Sequence, residues 1–239
     1  MRLLSHGGWY RFGRWVLVLL LLSLLVLLGS MEAVYRFGLS RVGELPRAPV
    51  PRTDFATRVL WADGEEEPLR LVPRWPWTFV MFGRPTAGFG MASDVAGRWL
   101  VSRPGHEPRP MLNWHLQRFA LAVWISRHWT VEELLTADAE GAWFGRGARG
   151  LDAAARTYFG REPGQLALHE AALLASLPQS PARYDPFCRP ESALRRRDVV
   201  LSRLQRLGWI SEAQREEARN QPLLPAAIAA EGAGACAHE

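Results

Sequence analysis

The chain has 239 residues, 48% of them hydrophobic and 22% charged, a balance that fits one buried domain plus an anchor or tail and excludes wholesale disorder. Its formal net charge is +5 and it contains no lysine, so every basic side chain is arginine. That excludes Schiff-base and lysine acid/base chemistry and favours bidentate contact with phosphate or carboxylate.

The N-terminal end reads as a membrane anchor. Arg2, Arg11 and Arg14 precede the uncharged run WVLVLLLLSLLVLLGSM at residues 15–31, near the lower end of the roughly 17–25 residues that a spanning helix needs. Leucine lies all round this run rather than on one stripe, which argues against a core helix. A cleaved signal peptide is the competing reading, because the flank is basic and the apolar stretch short. Leu28-Gly29-Ser30 puts leucine where cleavage wants a small residue, which favours an uncleaved anchor. The basic flank places residues 1–14 in the cytoplasm and the rest outside; Arg36 and Arg41 beyond the span pull against that orientation.

Residues 32–90 read as a linker and a divergent N-terminal part. LPRAPVPR at 45–52 is an extended linker. RVLWADG at 58–64 is strand-like, and Glu65-Glu66-Glu67 after it reads as a solvated turn. Residues 72–90 are aromatic and rich in proline and glycine, with no clean period.

Residues 91–220 are helical in pattern. Ala92, Val95, Ala96 and Trp99 share one face, and Leu112, Leu116, Phe119, Ala120 and Val123 form a longer stripe. Thr130 with Glu133 is a capping box opening the next helix. A short helix follows at 147–158 with Leu151, Ala154, Ala155 and Tyr158 inward, then an alanine- and leucine-rich one stopped by Pro178. Pro190 opens a helix ending at Gly208, and Ser211 with Gln214 caps the last one. The tail 221–239 is proline, alanine and glycine and reads as disordered.

FGRGARGLDAAARTYFGREPGQLALHEAALLASLPQSPARYDP, residues 144–186, resembles the late motif of the peptidoglycan glycosyltransferases. These are the transglycosylase modules of class A penicillin-binding proteins and the monofunctional transglycosylases. The likeness extends over residues 113–220 and rests on Gly145, Gly147, Tyr158-Phe159-Gly160, Glu170, Pro178-Gln179, Pro181 and Pro186. It implies a mostly α, lysozyme-like module behind one N-terminal transmembrane helix. It also implies work in peptidoglycan biogenesis on a lipid-linked disaccharide, at the bacterial inner (cytoplasmic) membrane with the domain in the periplasm or cell exterior. Membrane lipid, that precursor and other cell-wall proteins are the implied partners; nucleic acid is not.

Two family carboxylates have no counterpart in this reading. The family's early Glu-Asp-x-x-Phe motif has no match between residues 72 and 90, where no Asp or Glu occurs, and the Arg-Lys-x-x-Glu motif falls on residues 114–118, ending in Arg118. The expectation is therefore a catalytically degenerate relative that binds precursor or envelope partners. The alternative is an active enzyme in which Glu140 or Asp94 takes over the base role. Arg118, Arg146, Arg149 and Arg161 are the candidates for pyrophosphate; Arg195-Arg196-Arg197 reads equally as an anion site or a solvated helix face. No metal spacing occurs and no cofactor is expected. Gly145 to Gly150 spells G-x-G-x-x-G, but the helical pattern before it rules against a dinucleotide turn, which needs a strand there. Cys188 and Cys236, the two cysteines, permit one bridge in an oxidising compartment.

Overall fold

The computed structural model describes residues 6–65, 67–78, 86–103, 110–226 and 228. Among these the fold is helical throughout, apart from an isolated antiparallel bridge between Trp143 and Arg149. The mostly α expectation therefore holds.

Helix α1, His6–Ser40, is far longer than the expected span. Its apolar stretch, Phe12–Ser40, is long and apolar enough to cross a membrane. The extension beyond residue 31 has a packing cause. Tyr35 is buried, and Gly38 approaches so closely that an added Cβ would lie 2.9 Å from both the Ala120 Cβ and the Leu116 carbonyl oxygen. The last turns of α1 are thus part of the domain, while the apolar turns before them stand free of it.

Helix α2, Phe55–Gly64, replaces the strand-like reading of residues 58–64. Asp54 caps it by accepting the Thr57 N–H at 2.8 Å. Val59, Leu60, Trp61 and Ala62 are all buried, so the β-branched and aromatic run that looked like a strand is a helix enclosed on several sides. Tertiary burial overrides local propensity here.

The remaining helices are α3 (Phe89–Ser102), α4 (Met111–His128), α5 (Val131–Gly141), α6 (Leu151–Phe159), α7 (Leu168–Ser176), α8 (Pro190–Arg206) and α9 (Glu212–Arg219). Both expected capping boxes are present, Thr130 with Glu133 and Ser211 with Gln214. One core joins α2, α6, α7 and α8 around Trp61, Phe144, Tyr158 and Leu173; another joins α3 and α4 around Val95, Leu121 and Ile125. The stripe expected on α4 holds at Ala120 and Val123, both buried, but Leu112 is 71% exposed, and Gln117, Leu121, Ala122, Ile125 and Ser126 are buried as well. α4 is hemmed in by α1 on one side and α3 on another, so a single apolar stripe underestimates its buried surface. Of the expected tail, residues 227 and 229–239 lie outside the described residues, as do 79–85 of the aromatic segment.

Candidate functional site

A cleft of about 430 Å³ opens where the C-terminal end of α2 meets α3, α5, the end of α7 and α8. Each element brings charge. α2 ends in Asp63 and Glu65, α3 supplies Asp94 and Arg98, α5 supplies Asp138, and α8 supplies Arg196 and Arg203. Helical spacing puts Asp94 and Arg98 one turn apart on the same face of α3, and Arg196 and Arg203 two turns apart on α8.

The carboxylates are paired one by one. Arg196 Nη2 donates to Asp63 at 2.5 Å, and Arg203 donates to the Asp63 and Ala62 carbonyl oxygens. Arg98 pairs with Asp138, and Arg118 reaches across from α4 to Asp94 at 2.8 Å and to the Ser93 carbonyl at 2.9 Å. Glu65 takes a different partner, the Gly88 backbone N–H at 2.8 Å. Gly88 has φ +78 and opens α3 directly beneath Trp61, where an added Cβ would lie 3.1 Å from the indole.

Burial sets the electrostatics. It pushes the Asp63 carboxyl up from its ordinary value against the pull of Arg196 and Arg203, with Asp138 adding to the rise. Burial likewise raises Asp138, opposed by Arg98 and reinforced by Asp94. Glu65 is raised by burial too, with the Gly88 N–H opposing and Glu67 assisting. The cleft is thus a partly dry set of mutually repelling carboxylates held in place by arginines. Such a set offers paired donors and acceptors to the hydroxyls and charged groups of a sugar. Among the described residues no cluster of His, Cys, Asp or Glu has the form of a metal site.

The expected site residues disperse. Asp94 is at the cleft, though 62% exposed and paired with Arg118. Glu140 lies instead on a neighbouring groove of about 320 Å³, lined also by Arg47, Arg98, Trp99, Trp129 and Arg149. Arg146, at φ 48, donates to Asp185 at 2.9 Å and to the Cys188 sulfur at 3.2 Å. Arg161 bridges to the buried Glu170 at 3.1 Å, and Glu170 also accepts the Ala167 N–H at the start of α7. Arg118, Arg146, Arg149 and Arg161 therefore do not converge on one ligand. The G-x-G-x-x-G stretch follows helix α5 and forms a tight turn, closed by the Ala148 N–H to Gly145 carbonyl bond and by the Trp143–Arg149 bridge.

The triple arginine splits three ways. Arg195 is exposed beside Glu191, Arg196 enters the cleft, and Arg197 is 1% exposed, donating to Asp198 and to the Arg219 and Gln221 carbonyls. Sequence reasoning missed Asp63 and Glu65 altogether, and it read Glu65 as part of a solvated turn. Glu65 is instead half-buried, because the chain folds back to place Gly88 over it. The available signal was an apolar run ending in two acidic positions one residue apart, with a capping aspartate three residues ahead of Thr57; read as a helix, it aims both carboxylates from one helix end.

Residues 104–205 match the family described as Transglycosylase. Within a mostly helical domain behind a long apolar helix, this segment is similar to the transglycosylases. Its relatives include penicillin-binding protein 1A of Aquifex aeolicus, 46% identical over 103 residues that make up 43% of this chain and 14% of that protein. Penicillin-binding protein 1A of Escherichia coli is 34% identical over 116 residues, 48% of this chain and 14% of that one. The chain thus spans about a seventh of the length of these relatives. Among solved structures, penicillin-binding protein 1A from Haemophilus influenzae is similar at 23% identity and a TM-score of 0.35, over 59% of this chain and 17% of that one. The matched segment corresponds to the glycosyltransferase module of such proteins, as the late-motif resemblance implied. α2 and its two acidic residues lie ahead of residue 104, outside the segment that matches.

Proposed function

We propose that the chain is a single-pass protein of the bacterial cytoplasmic membrane, with its helical domain on the periplasmic or extracellular side, that acts in peptidoglycan biogenesis. It binds lipid-linked disaccharide precursor or envelope partners and does not polymerise glycan. The carrying observation is the pairing in the cleft: Asp63, Asp94 and Asp138 each face an arginine. Chain growth needs a carboxylate free to take the acceptor hydroxyl proton and cations free to hold the leaving pyrophosphate. Arginine-paired carboxylates meet neither need. Of the arginines proposed for pyrophosphate, Arg149 faces an open groove beside Arg47, whereas Arg118, Arg146 and Arg161 are engaged by Asp94, Asp185 and Glu170. The apolar α1 supports the anchor.

A second reading, an active peptidoglycan glycosyltransferase, is favoured by one feature. Glu65 lines the cleft, has no arginine partner among the described residues, and is raised by burial as a general base should be. Neither Glu140 nor Asp94 shares that combination.

Binding comes first as a test. Fluorescent lipid-linked disaccharide pyrophosphate is titrated into the detergent-solubilised chain, with unlabelled precursor as competitor. Saturable binding, competed by precursor and not by the free neutral disaccharide, is expected. Absence of saturable binding at micromolar precursor removes the precursor-binding proposal.

A further inference from the structure

The turn after α5 carries a depression that the cleft does not use. Residues 142–150 close on themselves: the Gly150 N–H donates to the Ala142 carbonyl at 2.9 Å, and the Phe144 N–H to the Ala148 carbonyl at 3.0 Å. Trp143 sits between those bonds and pairs with Arg149 across the isolated bridge. Its backbone is therefore fixed, while its side chain stays 46% exposed. Beside it lies a pocket of about 250 Å³, lined by Trp143, Gly145, Arg146, Pro181, Asp185 and Cys188. Gly145 lets the floor close: at φ +86, an added Cβ there would lie 3.0 Å from the Pro181 Cβ.

One exposed tryptophan is ordinary on a protein surface; the polar groups beside this one are not. Arg146 takes φ +48, a left-handed conformation that a non-glycine residue holds only at a cost. Its side chain ends on three partners: Nε donates to Asp185 at 2.9 Å, Nη2 to the Cys188 sulfur at 3.2 Å, and the guanidinium lies 4.1 Å from the Phe187 ring centre. Asp185 also accepts the Phe187 N–H at 2.9 Å. Both charged groups are thus locked before a ligand arrives, which lowers the ordering cost of binding. Among the described residues they are the only charged ones lining the pocket, and they cancel. The groove beside Glu140 differs, with Arg47, Arg98 and Arg149 against one carboxylate. A matched pair offers no net attraction to phosphate, but it sets a donor and an acceptor side by side next to an indole face.

We propose that Trp143, Arg146 and Asp185 form a binding pocket for one N-acetylated amino-sugar ring of a neutral glycan. The apolar face of the ring stacks on Trp143. The acetamido carbonyl accepts from Arg146, and its N–H donates to Asp185, whose carboxylate has room for about four donors. Its methyl meets Pro181 and Ala182. The volume lies below the roughly 300–1,000 Å³ of drug-sized sites, so the pocket takes a single ring. No residue lines both this pocket and the charged cleft, and the proposal does not rest on precursor binding there.

Calorimetric titration of the full chain with chitotetraose, in a detergent without a sugar headgroup, tests it. Saturable binding with a Kd of about 1 mM or below, the scale of a small contact, is expected. Maltotetraose, which lacks the acetamido groups, is expected not to saturate. Trp143→Ala, with helicity checked by circular dichroism, is expected to weaken chitotetraose binding at least about tenfold, as removal of an aromatic anchor does. Trp143→Phe keeps a ring and is expected to retain most of the affinity, and Trp75→Ala, at another exposed tryptophan, all of it. Absence of saturable chitotetraose binding, or binding that Trp143→Ala leaves unchanged, would overturn the pocket. Equal binding of maltotetraose would overturn the amino-sugar assignment. Lipid-linked precursor is titrated into the same Trp143→Ala protein and is expected to bind as it does to the natural sequence. Chitotetraose binding without any precursor binding would sink the precursor reading and sustain this pocket.

Discussion

Arg197→Ala separates a buried structural arginine from a decorative one. The side chain is 1% exposed; its Nη1 donates to the Gln221 carbonyl at 2.9 Å, and its Nη2 to the Arg219 carbonyl at 2.8 Å and to Asp198 at 3.0 Å. It thereby holds the C-terminal end of α9 against α8. Truncation strands two carbonyls near the surface, each costing about 1 kcal/mol at the lower end of the usual range. It also removes two buried methylenes at about 0.8 kcal/mol each. A loss of about 3–5 kcal/mol is expected, the scale for removing one partner of a buried pair. The neighbouring Arg195→Ala, on an exposed side chain, is expected to change stability by less than about 0.5 kcal/mol. Guanidinium denaturation of the detergent-solubilised chain, followed by tryptophan fluorescence, reads both. Hydrogen exchange on α9 locates the Arg197→Ala loss. Equal midpoints for the two variants would refute the assignment of Arg197 to the core.

Gly38→Leu forces α1 away from α4, because its Cβ would already lie 2.9 Å from a backbone oxygen. The expected cost is about 1–3 kcal/mol, with faster amide exchange over residues 41–52. Arg196→Ala leaves Asp63 buried with only Arg203 nearby; about 2–4 kcal/mol of destabilisation is expected, slightly below the full cost of breaking a buried pair, read by thermal unfolding. Asp63, Glu65 and Asp138 all have folded pKa values above their ordinary values of 3.8, 4.5 and 3.8. Between the ordinary and raised values the folded state holds more protons, so stability present at low pH is lost as pH rises through the raised values. The triple variant Asp63→Asn, Glu65→Gln, Asp138→Asn should flatten that decline from about pH 4 upward; an unchanged slope would locate the raised groups elsewhere.

Much of the scaffold was legible from patterns that depend on a few neighbours. Pro178 ending α7, the caps at Thr130 and Ser211, and Gly208 at φ +72 closing α8 each act within one turn. Leu151, Ala154, Ala155 and Tyr158 showed their buried face by spacing alone. What stayed hidden depends on contacts distant in sequence. α2 looked like a strand because its burial comes from α7 and α8, more than a hundred residues away. Asp63 becomes a cleft residue only when Arg196, 133 positions on, closes over it, and Glu65 only when Gly88 does. The arginines Arg195, Arg196 and Arg197 could not be told apart as letters, since one turn of α8 sends them to solvent, cleft and core. The same holds for Glu140 and Asp138, two residues apart and facing different grooves.

The most direct test of the account is polymerisation of lipid-linked disaccharide by the purified full chain, run beside an active penicillin-binding protein 1A and beside Glu65→Gln. The account predicts no glycan chains above background from the natural sequence under conditions where the precursor binds. Glycan chains that disappear on Glu65→Gln would contradict it, and would make Glu65 the base of a working glycosyltransferase.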